Sequence, residues 1–94
     1  MALKFTVRDF GQTFATRERG AELREELRRR ADEGDEVIVD FADVTNVSYS
    51  FADEFLGKLC ADPTLSVSPQ NLAPSVARVA HRAIERRTDG AMAC

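Results

Sequence analysis

A chain of 94 residues has room for one hydrophobic core, and 44% apolar with 31% charged residues places it among folded globular domains rather than disordered chains. Lys and Arg number 13 against 16 Asp and Glu, a formal charge of -3 that draws the chain neither to nucleic acid nor to an anionic bilayer. No apolar run approaches the ~20 residues of a membrane span, and the amino terminus lacks the charged-then-apolar pattern of a signal peptide, so a cytoplasmic protein is expected.

In "LKFTVRDF", Leu3, Phe5 and Val7 alternate with Lys4, Thr6 and Arg8, the period of a strand with one buried face. A turn around Gly11 follows, with room for a short extended piece near Phe14. Thr16 then offers a side-chain oxygen to cap a helix starting near Arg17. Along that helix Gly20, Leu23, Leu27 and Ala31 form the packing stripe, and Glu25 with Arg29 and Glu26 with Arg30 form i,i+4 pairs. Gly34 suits the left-handed residue that ends the helix.

"EVIVDF" is a continuous run of β-branched and aromatic residues, the pattern of a central strand covered on both faces. The loop "ADVTNVSY" leads into a second helix from Ser50 to Cys60, which places Phe51, Phe55, Leu56, Leu59 and Cys60 on its packed side. Pro63 closes the next connection, "TLSVS" is a weak third strand and "PQNLAPS" a turn region. A third helix carries the apolar stripe Val76, Val79, Ala80, Ala83 and Ile84. The order β-α-β-α-β-α implies a small α/β domain, with helices packed on a partly parallel, mixed sheet over residues 1–88, and a flexible tail over 89–94.

Cys60 and Cys94 show no metal-ligand spacing and no reason to meet, so a reduced thiol is expected at each. His81, the one histidine, has no sequence partner for nucleophilic catalysis. Asp53 and Glu54 are adjacent on a helix, about 100° apart, and should not converge on one atom. No catalytic residue, metal site or cofactor motif emerges. Arg24, Arg28, Arg29 and Arg30 with Arg78, Arg82, Arg86 and Arg87 could form a basic face, but interleaved acids and the net negative charge favour a solvated surface over a nucleic-acid interface. A structural or oligomerising domain is a further alternative.

The join of the central strand to the second helix is the strongest local signal, because binding sites gather where chains leave the carboxyl ends of strands in α/β folds. Ser50 with Asp53 fits a capping box, in which the Ser50 hydroxyl would accept a backbone N–H. A cap is also a surface hydroxyl, so modification of Ser50 stays open beside that reading.

"VIVDFADVTNVSYSFADEFLGKL" resembles the strand, loop and helix of STAS domains, the fold of anti-sigma-factor antagonists. Aligned without gaps, Ser48 falls where that family has Asp, Tyr49 on its first Ser, Ser50 on its phosphorylated Ser and Phe51 on its Gly. The chain is still more similar to a STAS-like family of unknown function, small bacterial proteins with a Thr-Arg helix start and a Ser-Phe-Ala-Asp-Glu motif, found here as Thr16-Arg17 and Ser50 through Glu54. The resemblance implies a regulatory module that docks a kinase-like ATPase, an anti-sigma factor or a transcription regulator and is released by phosphorylation of Ser50. The surface it implies is Asn46, Ser48, Tyr49, Asp53 and Glu54, with Tyr49 as exposed anchor and a phosphate at Ser50 repelled by the two acids.

Overall fold

The structure, a computed structural model, describes residues 2–88. Strand β1 (Ala2–Thr6) is followed by a 3-10 turn (Val7–Phe10), β2 (Thr13–Phe14), α1 (Arg17–Arg30), β3 (Glu36–Asp40) and β4 (Asn46–Val47). A helical path then runs without a break through α2 (Tyr49–Ala52), a π-helical segment (Asp53–Gly57) and α3 (Lys58–Cys60). Strand β5 (Ser66–Gln70) and helix α4 (Pro74–Arg87) complete the fold.

The main sheet has the order β1-β3-β5, parallel throughout, with Phe5 opposite Val39 and Val37 opposite Val67. It was expected to be only partly parallel. Each step between neighbouring strands instead passes through a helix, which returns the chain to the same end of the sheet. The strand "EVIVDF" is central as expected, but only one of its faces is fully covered. Phe5, Val37, Val39 and Val67 are buried, whereas Lys4, Glu36, Ser66 and Ser68 on the other face are exposed and Ile38 is half-buried. Right-handed crossovers between strands added in one direction place their helices on the same side, so the second face has no layer of helices.

Several local expectations hold. Thr16 accepts a hydrogen bond from the Arg19 N–H at 3.1 Å, and Leu23 and Leu27 are buried along α1. Phe51, Phe55, Leu56 and Leu59 are each at most 1% exposed, which makes the middle helix the centre of the core. Phe51 stacks on Phe14 with ring centroids 4.8 Å apart.

Others shift. The first strand ends at Thr6, and Val7 is buried from within the 3-10 turn. Helix α1 ends at Arg30 on an extended Ala31; Gly34, at φ 87°, serves the later turn into β3, where its N–H donates to the Thr64 carbonyl. The weak third strand runs on through Pro69, tolerated because β5 is an edge strand. Asn46 and Val47, expected in a loop, form β4 and pair in parallel with Thr13 and Phe14. The i,i+4 pair of Glu26 with Arg30 forms, but Arg29 also turns to Glu26 rather than to Glu25. Val79 is only half-buried, while Val76, Ala80, Ala83 and Ile84 are buried as expected.

Cys60 is buried but disulfide-bonded, which corrects the expectation of a reduced thiol; spacing along a chain says nothing of which sulfurs approach in space. Cys94 and the expected tail, 89–94, lie outside the described residues. Among the described residues no helix is long and apolar enough to cross a membrane.

Candidate functional site

The site is built where β4 hands the chain to α2. Pairing of β4 with β2 holds the chain extended to Val47, and the Ser48 N–H donates to the Phe14 carbonyl at 2.9 Å. Ser48 is therefore the last extended residue, with φ -81° and ψ 161°, and its hydroxyl accepts from the Phe51 N–H at 3.1 Å. The helix cap is Ser48. The capping box expected at Ser50 does not form, because Ser50 already lies inside the first helical turn and the Asp53 carboxylate faces arginines instead. Ser50 is half-buried, and among the described residues its hydroxyl has no hydrogen-bond partner. Asn46 is exposed.

Tyr49, expected as an exposed anchor, is half-buried against α4. It lines two shallow depressions, one of ≈ 120 Å³ shared with Arg78, Val79 and Arg82, the other of ≈ 370 Å³ shared with Asp53, Arg86 and Arg87. It sits there because α2, which carries it, packs against α4.

Asp53 and Glu54 lie beneath the surface, each 7% exposed. Asp53 receives a two-pronged contact from Arg87, with Nε at 2.7 Å from Oδ1 and Nη2 at 2.8 Å from Oδ2, and a third from Arg17 Nη1 at 2.7 Å. Glu54 is held by Arg24 Nη1 at 2.6 Å, Lys58 Nζ at 2.8 Å and Arg17 Nη1 at 3.1 Å. The two acids thus do meet on one atom, Arg17 Nη1, against the expectation from an ideal α-helix. They do so where the backbone widens into the π-helical segment, within which all five residues are buried. Arg87 first and Arg17 second hold the Asp53 carboxyl well below the ordinary carboxylate range. Arg24, then Lys58 and Arg17, push Glu54 down to about 2. Both acids are therefore ionised and occupied, an arrangement that clamps helices together and offers no proton to a substrate.

Glycines on either side make this clamp possible. A Cβ on Gly20 would stand 2.8 Å from the Phe51 carbonyl oxygen, and one on Gly57 would stand 3.3 Å from the Ala83 carbonyl oxygen. The middle helix is thus approached closely by α1 on one side and by α4 on the other.

Of the arginines considered for a basic face, five are committed to internal partners. Arg24 and Arg87 belong to the clamp, Arg28 contacts Asp62, and Arg29 and Arg30 contact Glu26. Arg78, Arg82 and Arg86 are exposed and, among the described residues, have no ion pair. His81 is exposed beside them on α4. Among the described residues no group of three or more His, Cys, Asp or Glu is placed to hold a metal ion. The contribution of Arg17, Arg24 and Arg87 was not visible in local pattern, since their acids lie about 30 residues or more away in sequence. Lys58, four residues after Glu54, carried the one local signal.

The fold and the helical Ser-Phe-Ala-Asp-Glu segment define a small α/β domain of the STAS-like class. The chain belongs to the family described as STAS-like domain of unknown function (DUF4325), whose model matches residues 19–77. No curated protein and no solved structure matches the chain. The family is not a known enzyme family.

Proposed function

We propose that this domain is a non-enzymatic regulatory module that docks another protein, of kinase-like ATPase, anti-sigma-factor or transcription-regulator type, through the junction of β4 and α2. Asn46, Ser48, Tyr49 and Ser50 present the contact surface, Asp53 and Glu54 fix its geometry from beneath, and Ser50 is the phosphoacceptor. The observation that carries the reading is the division of labour between two serines: Ser48 makes the cap, and among the described residues the Ser50 hydroxyl has no hydrogen-bond partner. Modification of Ser50 therefore breaks no bond that the fold depends on.

The local charge also supports a switch, though not by the repulsion expected from sequence. Ser50 stands one turn before Asp53 and Glu54, on the same helical flank. Those two carboxylates are surrounded by Arg17, Arg24, Lys58 and Arg87, so the cluster is net cationic. A phosphate adds about -1.5 to -2 of charge, and Arg17, whose side chain is 47% exposed, is the most exposed guanidinium of the cluster and the one that a phosphate would draw from the two acids. Phosphorylation would then leave the fold intact while cancelling the positive charge beneath the docking surface. The test is to incubate the protein with its cognate kinase, or with lysate and MgATP, and map added mass by peptide sequencing. Phosphate at Ser50 that releases a captured partner is the expected result; an unmodified Ser50 beside an active kinase would end the proposal.

A further inference from the structure

The geometry points to a second half of the docking surface, on the outer face of α4, built to take an extended acidic segment of the partner. The inference rests on the reading of this domain as a protein-docking module and gives that partner a chemistry.

Arg78, Arg82 and Arg86 recur every fourth residue along α4 and are all exposed. At a rise of about 1.5 Å per residue their Cα atoms fall about 6 Å apart in succession and about 12 Å from end to end. Among the described residues none of the three is engaged by an acid, in contrast to Arg24, Arg28, Arg29, Arg30 and Arg87. Tyr49 ties the row to the β4–α2 junction, since its ring borders the depression with Arg78, Val79 and Arg82 and also the one with Arg86 and Arg87. Asp53 also lines the second depression, but its two oxygens are held by Arg87 and Arg17 and so leave that end cationic. The surface is a pair of depressions that share Tyr49, bordered by three guanidinium groups that no acid among the described residues engages.

An extended peptide advances about 3.4 Å per residue, so side chains on one of its faces recur about every 6.8 Å. Carboxylates at alternate positions therefore match the arginine row, and guanidinium is suited to two-point contact with each. An apolar residue between them would meet Tyr49 and the half-buried Val79. A long polyanion fits less well. The protein carries a formal charge of -3, and Glu85 is exposed between Arg82 and Arg86 in sequence, so attraction is confined to the row.

The test uses the full chain and a fluorescein-labelled peptide of alternating Glu and Val, read by fluorescence anisotropy at low and physiological salt. Binding should weaken as salt rises. R82E should weaken it at least tenfold, and R78E/R82E/R86E should abolish it. R8E, which reverses an exposed charge elsewhere, should leave it unchanged. Circular dichroism of each variant checks folding, and because the α4 arginines are exposed, R82E serves if the triple variant proves unstable. Equal binding by wild type and R82E, an equal loss in R8E, or tighter binding of a single-stranded oligonucleotide than of the peptide would each overturn the inference. None of these outcomes depends on Ser50 being phosphorylated, so failure here and failure of the Ser50 switch are separable.

Discussion

Replacing Glu54 with Gln keeps the shape of the side chain and removes the charge that Arg24, Lys58 and Arg17 share. The three contacts are not equal. Lys58, with a side chain 37% exposed, can turn to water and falls near the roughly 0.2–1 kcal/mol of a surface pair, and Arg17, 47% exposed, is screened further still. Arg24 is 18% exposed and bonded also to the Glu54 carbonyl, which puts it nearer the roughly 1.5–3 kcal/mol of a hydrogen bond to a charged group. The expected loss for E54Q is about 2–3 kcal/mol, or roughly 10–20 °C in Tm for a domain of this size. Because the folded pKa of Glu54 is depressed from 4.5 to about 2, this stabilisation is fully present above pH 4.5 and is lost as pH falls towards 2. Melting curves of wild type and E54Q, followed by circular dichroism from pH 7 downwards, should differ most at neutral pH and converge near pH 2. A Tm unchanged within about 2 °C at pH 7, or a gap that persists at pH 2, would refute the assignment of Glu54 as a structural keystone.

Gly20→Ala opposes two effects. Helix propensity favours Ala by about 1 kcal/mol, but its Cβ would lie 2.8 Å from the Phe51 carbonyl oxygen, a backbone atom that cannot swing away. A net loss of about 1–3 kcal/mol is expected, read as a lower urea midpoint; a midpoint that rises would show that α1 can move off the middle helix. The two serines separate in the same assay. Ser48→Ala should cost about 1 kcal/mol through loss of the cap, whereas Ser50→Ala should stay within about 0.5 kcal/mol of wild type. The reverse ranking would return the cap to Ser50.

The elements that rest on short-range pattern were readable in the residues. Thr16 announces α1 because a cap acts within three residues, and the Phe51, Phe55, Leu56 and Leu59 stripe announces the middle helix because its burial follows from spacing. The Ser-Phe-Ala-Asp-Glu motif pointed correctly to the STAS-like family. What it could not show was the work done by its own acids.

Sequence by itself determined the three strands of the main sheet, the helices between and after them, which residues are apolar enough to form the core, and where the central strand lies; it left Asn46 and Val47 in a loop. Only the tertiary structure decided which serine caps, which face of the sheet is covered and which charges are spent internally. The physical reason is range. Caps, periodicity and turns act over a few residues, whereas Arg17 meets Asp53 across 36 residues, Arg87 meets it across 34, and Ser48 becomes the cap because Phe14 holds its N–H. Such contacts exist only once the parallel strands have brought α1, the middle helix and α4 side by side.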